Sequence, residues 1–148
     1  IIAIKATDIT LDTKLPEYAF YDCSNLAKVN YTNEVTEIGS YAFRDTAALE
    51  DIVCNELTEM GMYVFSQSGI KSFSAPKMTA IGNNAFKSCL NLSRVILPIG
   101  VKTIHADAFE GCDSLQEIFV PAHKTDYYKK RLPSELWDKI VELDNSKK

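Results

Sequence analysis

Apolar residues recur along this chain in a fixed order about every 21 to 23 positions. A phenylalanine marks each recurrence: Phe20, Phe43, Phe65, Phe86 and Phe109, spaced 23, 22, 21 and 23 residues apart. A small residue precedes each ring (Ala19, Ala42, Val64, Ala85, Ala108), and an aliphatic one stands five positions before it (Leu15, Ile38, Met60, Ile81, Ile104). Three positions after the ring comes Cys23, Thr46, Ser68, Cys89 or Cys112. A second half follows, Leu26-x-x-Val29-x-Tyr31, with counterparts beginning at Leu49, Ile70, Leu92 and Leu115. Pro76, Pro98 and Pro121 close three of these five runs.

A period of this length means a repeat architecture. The second half reads as a short strand whose last two apolar residues point inward at period two. Proline ends it because proline cannot donate to the next rung. The Ala-Phe half reads as a tight helical or 3₁₀ turn that drives the ring inside. One unit cannot bury such a face, but stacked units can, and strands separated by a whole repeat then run parallel. Gly39, Gly61 and Gly82 stand just after the aliphatic position, which suggests positive φ there, although Pro16 and His105 occupy the same place in the first and last units.

The consensus Ile-Gly-x-x-Ala-Phe-x-x-Cys-x-x-Leu-x-x-Ile-x-Leu-Pro resembles the BspA-type leucine-rich repeat of bacterial surface proteins. The resemblance covers residues 9–121 and is most specific in 83–98 and 107–121. It departs in the third unit, where Ser68-Gly69-Ile70 is one residue short, and in the degenerate lead-in of the first. It implies an α/β leucine-rich-repeat right-handed solenoid, with a parallel sheet of about six short strands and a short helical C-terminal cap. It also implies an adhesion-like, non-catalytic role in a secreted or cell-surface protein.

The expected organisation is a solenoid over 1–121, its first 14 residues an edge strand or cap, followed by a helical cap and tail over 122–148. Ile4-x-x-Thr7-x-Ile9 fits the strand half in register and supplies the sixth strand. In the cap, Ser134 is placed to start a short helix with Trp137, Ile140 and Val141 on one face. Val-Pro-Ala, a Tyr-Lys helix and a Trp also resemble the family's C-terminal finish, so the natural C-terminus is expected near Lys148. The start at Ile1 suggests a removed upstream segment, a signal peptide or an earlier domain.

Composition adds little. The chain has 148 residues, 46% of them hydrophobic, and a formal charge of −4. That suits one soluble core, gives no basic face for nucleic acid, and leaves no apolar run of membrane-spanning length. A monomer is expected. Cys23, Cys89 and Cys112 share one repeat position and read as small buried residues, with Cys54 core as well. Cys89 and Cys112 fall on adjacent coils, but parallel side chains hold Cβ atoms about 4.8 Å apart, wider than the ~3.8 Å of bridges, so free thiols are expected. His105 and His123 are not at ligand spacing, and no metal or cofactor site is read. Phosphate-loop, nucleophile-elbow and Cys-x-x-Cys motifs are absent. Lys129-Lys130-Arg131 reads as a solvated helix face. Asn30-Tyr31-Thr32 and Asn91-Leu92-Ser93 match the glycosylation sequon, which carries little weight in a bacterial protein. Tyr18, Tyr41 and Tyr63 share a column, either an edge-packing ladder of amphipathic rings or a strip that stacks sugars.

Strand residues alternating with the buried ones form outward columns. One runs Asp8, Asn30, Val53, Ser74, Ile96, Phe119, and its neighbour Ala6, Lys28, Asp51, Ser72, Arg94, Glu117. Lys28 beside Asp51, and Arg94 beside Glu117, are opposite charges on adjacent strands and need no ligand to explain them. Val53, Ile96 and Phe119 are apolar residues facing water, and with Arg94 and Ser74 they are the candidate contacts for a protein or glycan ligand. Six strands present roughly 400–500 Å², room for a glycan or peptide, while a folded partner also needs the flanks. The alternative is a structural module that presents an upstream domain and binds nothing itself.

Overall fold

The computed structural model describes residues 13–30 and 32–143. In chain order the strands are β1 (Lys14–Leu15), β2 (Glu37–Ile38), β3 (Glu59–Met60), β4 (Ser72–Ser74), β5 (Ala80–Ile81), β6 (Arg94–Ile96), β7 (Thr103–Ile104) and β8 (Glu117–Val120). Helix α1 (Thr125–Lys129), a 3₁₀ helix (Ser134–Lys139) and β9 (Ile140–Glu142) follow, and a further 3₁₀ turn spans Thr32–Glu34.

Two parallel sheets form rather than one of six strands. The two-residue strands at the aliphatic position make a five-stranded sheet in the order β1-β2-β3-β5-β7. The second halves of the repeat make another, β4-β6-β8-β9. Residues 26–30 and 49–54, the second halves of the first two units, form no strand. The edge strand expected over residues 4–9 lies outside the described residues. Successive coils form an α/β repeat solenoid around one interior.

The ring column is continuous. Phe20, Phe43, Phe65, Phe86 and Phe109 are all buried, with adjacent rings nearly parallel and centroids 5.2, 5.4, 5.5 and 5.3 Å apart. Each offset pair adds about 0.5–1.5 kcal/mol to the burial itself. Leu15, Ile38, Met60, Ile81 and Ile104 line the same core, as does a column the repeat pattern did not pick out: Val35, Leu57, Met78 and Val101.

The turns are tied coil to coil by backbone bonds running one way. The N–H groups of Phe20, Phe43, Phe65 and Phe86 donate to the carbonyls of Ala42, Val64, Ala85 and Ala108 at 2.7, 2.9, 2.8 and 2.8 Å. Two residues on, Asp22, Asp45, Gln67 and Ser88 donate to Arg44, Ser66, Lys87 and Glu110 at 2.9, 2.9, 2.9 and 2.7 Å.

Positive φ falls elsewhere than expected. Gly39, Gly61 and Gly82 are not in the left-handed region; Tyr18, Tyr41, Tyr63 and Asn84, two residues later, are, at φ of 62°, 65°, 57° and 54°. Close approach explains the glycines. A Cβ on Gly39 would lie 2.5 Å from the Glu17 nitrogen, and one on Gly61 2.4 Å from the Ser40 hydroxyl. Pro16 opens the row with no described coil before it, and His105 closes it beside Gly82. Left-handed tyrosines carry backbone strain of about 1 kcal/mol each, which their mutual stacking offsets.

The one-residue deletion in the third unit is absorbed at Gly69. Its N–H bonds to the Thr46 carbonyl at 3.1 Å, and a Cβ there would sit 2.1 Å from the Ala47 oxygen. The chain takes the shorter path by pressing bare backbone onto the coil before it.

The cap also differs from expectation. Ser134 is not an N-cap: Pro133 holds that place in extended conformation, and no side chain caps the 3₁₀ helix. Ile140 and Val141 belong to a strand rather than a helical face, and β9 joins β8 in parallel. Arg131 is no free surface charge. Its guanidinium lies 3.5 Å from the Tyr127 ring centroid and donates to the carbonyls of Lys102 (2.9 Å) and Tyr127 (2.8 Å). The hydroxyls of Tyr127 and Tyr128 donate to the carbonyls of Val101 and Pro98, so the cap is bolted to the preceding coil.

Candidate interaction surface

The outward column becomes a surface where strands pair. Register aligns Ser74 with Ile96, Ile96 with Phe119 and Phe119 with Val141. Phe73, Val95 and Ile118 alternate with them and are buried, which fixes the outward direction of their neighbours. Arg94 is anchored on this face, with Nη2 3.2 Å from a Glu117 carboxylate oxygen and its guanidinium carbon 5.6 Å from the Phe119 centroid. Of the five candidate residues, Ser74, Arg94, Ile96 and Phe119 come together.

Val53 does not join the apolar pair. It is 53% exposed on an unpaired segment, and Ser74 separates it from Ile96. Its carbonyl is held by the Thr32 hydroxyl at 2.6 Å. Among the described residues no ion pair links Lys28 to Asp51, which lie on those unpaired segments.

The face extends past the repeat. Val141 and Leu143 are exposed beside Phe119 and Pro121, and Leu143 is set by its N–H bond to the Val120 carbonyl at 2.8 Å. A depression of about 330 Å³ runs alongside, floored by Ile96, Pro98, Pro121 and Leu143 and rimmed by Ile99, which is 68% exposed. The alternation Ile140-Val141-Glu142-Leu143 carried this signal, but the helical reading of the cap hid it.

The tyrosine column is a ladder. Tyr18, Tyr41 and Tyr63 stack at 4.9 and 5.2 Å with interplanar angles of 1° and 4°, and Arg44 lies over the rings of Tyr41 and Tyr63. The rings spend their faces on one another, and sugar stacking needs free faces.

All four cysteines are unbridged. The Cys89 and Cys112 thiols donate to the carbonyls of Phe65 and Phe86, each at 2.9 Å. Thr46 uses the same repeat position to bond the Phe43 carbonyl of its own turn at 2.7 Å. Burial pushes the Cys54 thiol up to about 12, and the adjacent Cys89 together with burial pushes Cys112 upward too. His105 accepts from the Asp107 N–H at 3.2 Å, as a turn residue does. Among the described residues no three His, Cys, Asp or Glu side chains cluster as metal ligands, and no helix is long and apolar enough to cross a membrane.

The BspA type leucine rich repeat region matches six times over residues 13–131. The chain belongs to the BspA-type leucine-rich repeat family. This BspA-type solenoid is similar to a leucine-rich repeat protein from Bacteroides ovatus ATCC 8483, at 29% identity and a TM-score of 0.70 over 81% of this chain and 33% of that one. It is similar to another from Eubacterium ventriosum ATCC 27560, at 29% identity and 0.68 over 76% and 30%. The leucine-rich repeat protein of T. pallidum gives 29% identity and 0.67 over 72% and 51%. The chain thus spans between about a third and a half of the length of these structures. No curated protein matches it.

Proposed function

We propose that this chain is a non-catalytic interaction module of a secreted or cell-surface bacterial protein. Its ligand, a protein or a glycan, engages the exposed face of the β4-β6-β8-β9 sheet. The observation that carries this reading is the run Ile96–Phe119–Val141, an apolar column with exposed ends and a half-buried central ring, beside an apolar depression. Contiguous exposed apolar surface of this kind marks binding sites more than isolated residues do. The paired area is small. Four strands at ~4.8 Å, each of three or four residues, present on the order of 150–200 Å², well below the ~800 Å² of a standard protein interface. An extended apolar segment fits that footprint better than a whole folded domain.

The test is an array of glycans and extracellular-matrix proteins, probed with the wild type and an Ile96→Ser, Phe119→Ser, Val141→Ser variant of unchanged melting temperature. Binding by the wild type that disappears in the variant supports the assignment. Binding that survives moves the site elsewhere. The second reading, a rigid spacer that presents another domain, is favoured by the unbroken ring column and predicts binding by neither protein.

A further inference from the structure

The coil-to-coil ladder runs one way, so its last rung is left with donors. In each of the four earlier coils the Phe N–H, and the N–H two residues later, reach carbonyls of the next coil. In the fifth, the N–H groups of Phe109 and Gly111 have no acceptor among the described residues. The cap does not close over them. A cavity of about 440 Å³ separates this turn from the 3₁₀ helix, with Phe109 and Gly111 on one wall and Leu136 on the other. Three exposed carboxylates, Asp107, Glu110 and Glu135, line it with no lysine or arginine among the lining residues, and Asp107 also lies 3.8 Å from His105 Nδ1.

We propose that this end of the solenoid binds an extended basic peptide segment. Alternate carbonyls of the peptide would accept from the Phe109 and Gly111 N–H groups, as those of Ala108 and Glu110 accept from Phe86 and Ser88 in the coil before. Arginine or lysine side chains of the segment would reach the carboxylates. The charge decides between ligands that offer oxygen. A phosphate, sulfate or carboxylate would satisfy the two donors but meet three like charges, whereas a neutral backbone with cationic side chains satisfies both sets. The site lies at the end of the turn ladder, apart from the β4-β6-β8-β9 face, and does not depend on that assignment.

The experiment is amide NMR on the ¹⁵N-labelled full chain, titrated with an acetylated, amidated hexapeptide of alternating arginine and alanine. A counterpart with glutamate for arginine is the control. The arginine peptide is expected to shift the Phe109 and Gly111 amides saturably, slow their hydrogen exchange, and weaken as salt rises. A Glu110→Gln, Glu135→Gln variant keeps its fold, since both side chains are exposed, and is expected to bind roughly tenfold more weakly. Unmoved amides at 109 and 111, or equal binding of the glutamate peptide, would overturn the proposal. So would the same shifts appearing with protein concentration alone, which would mean that a second copy of the chain occupies the edge.

Discussion

The turn side of this solenoid is regular through all five coils, whereas the opposite side is a paired sheet only from the third coil onward. Both sides carry inward anchors in every unit: Leu26 and Val29 are buried in the first coil as Leu92 and Val95 are in the fourth, and Ile52 of the second is half-buried against the same core. The outward residues differ. The unpaired segments present Lys28, Asn30 and Asp51 beside Val53; the paired ones present Ile96 and Phe119 in a continuous column, beside Ser72 and Ser74. Inward positions decide that coils stack; they do not by themselves decide that the stacked segments form a sheet. β-propensity measures fit on a half-exposed pleated surface, so outward residues such as Lys28 and Asn30 weaken a ladder without disturbing the buried anchors.

If the ring column carries the stability of the whole molecule, breaking it mid-way gives the largest effect. Phe65→Ala removes a ring stacked on both sides at 5.4 and 5.5 Å and should cost about 3–5 kcal/mol. Phe20→Ala, with one stacked ring among the described residues, should cost toward the low end of that range. Denaturant titration checks both, and equal losses would mean the column is not cooperative.

The junction between the irregular and regular parts is sharper still in geometry. Gly69→Ala puts a methyl 2.1 Å from the Ala47 oxygen and should cost about 2–3 kcal/mol. Gly100→Ala meets nothing nearer than 3.9 Å and should be neutral or stabilise by about 0.4–1 kcal/mol through the unfolded chain. Thermal melts of the two variants should therefore move in opposite directions, or the second not at all.

How much of this was legible in the sequence follows the same division. The stacked rings, the parallel register, the Arg94–Glu117 pair and the unbridged cysteines all follow from residues that repeat, and a repeat states its own contacts. The five-stranded sheet was missed because its strands are two residues long, too short for alternation to register. The glycines were misread because steric approach between coils and positive φ select the same residue type. Val141 was misplaced and Leu143 missed because Trp137, Ile140 and Val141 also fit one face of a helix, and a single copy outside the period gives nothing to choose between helix and strand. Ile140–Glu142 becomes a strand through the β8 edge it joins, a tertiary fact.

Cys54 reports on the buried side of the second coil. Its thiol stays neutral in the fold up to about 12, against 9.0 for the free group. Above pH 9 the unfolded chain loses this proton first, so stability present below that pH should fall as pH rises toward 12. Between pH 8 and pH 10.5 the wild type should lose up to about 2 kcal/mol more than Cys54→Ala. Parallel losses in urea titrations at the two pH values would mean that Cys54 is open to solvent in the second coil.

The smallest effect isolates the outward residues themselves. Replacing Lys28 by Thr and Asn30 by Val leaves every buried anchor in place and supplies the β-branched residues that a pleated surface favours. The first two coils should then gain about 0.5–1 kcal/mol and acquire backbone pairing between 28–30 and 51–53. Native-state hydrogen exchange is the direct measure, since amides of 51–53 should slow toward those of β6. If they do not slow although the variant is folded, outward propensity is not the missing element. The irregularity would then belong to the shortened third coil, whose Gly69 pulls the second coil out of step with the sheet that begins after it.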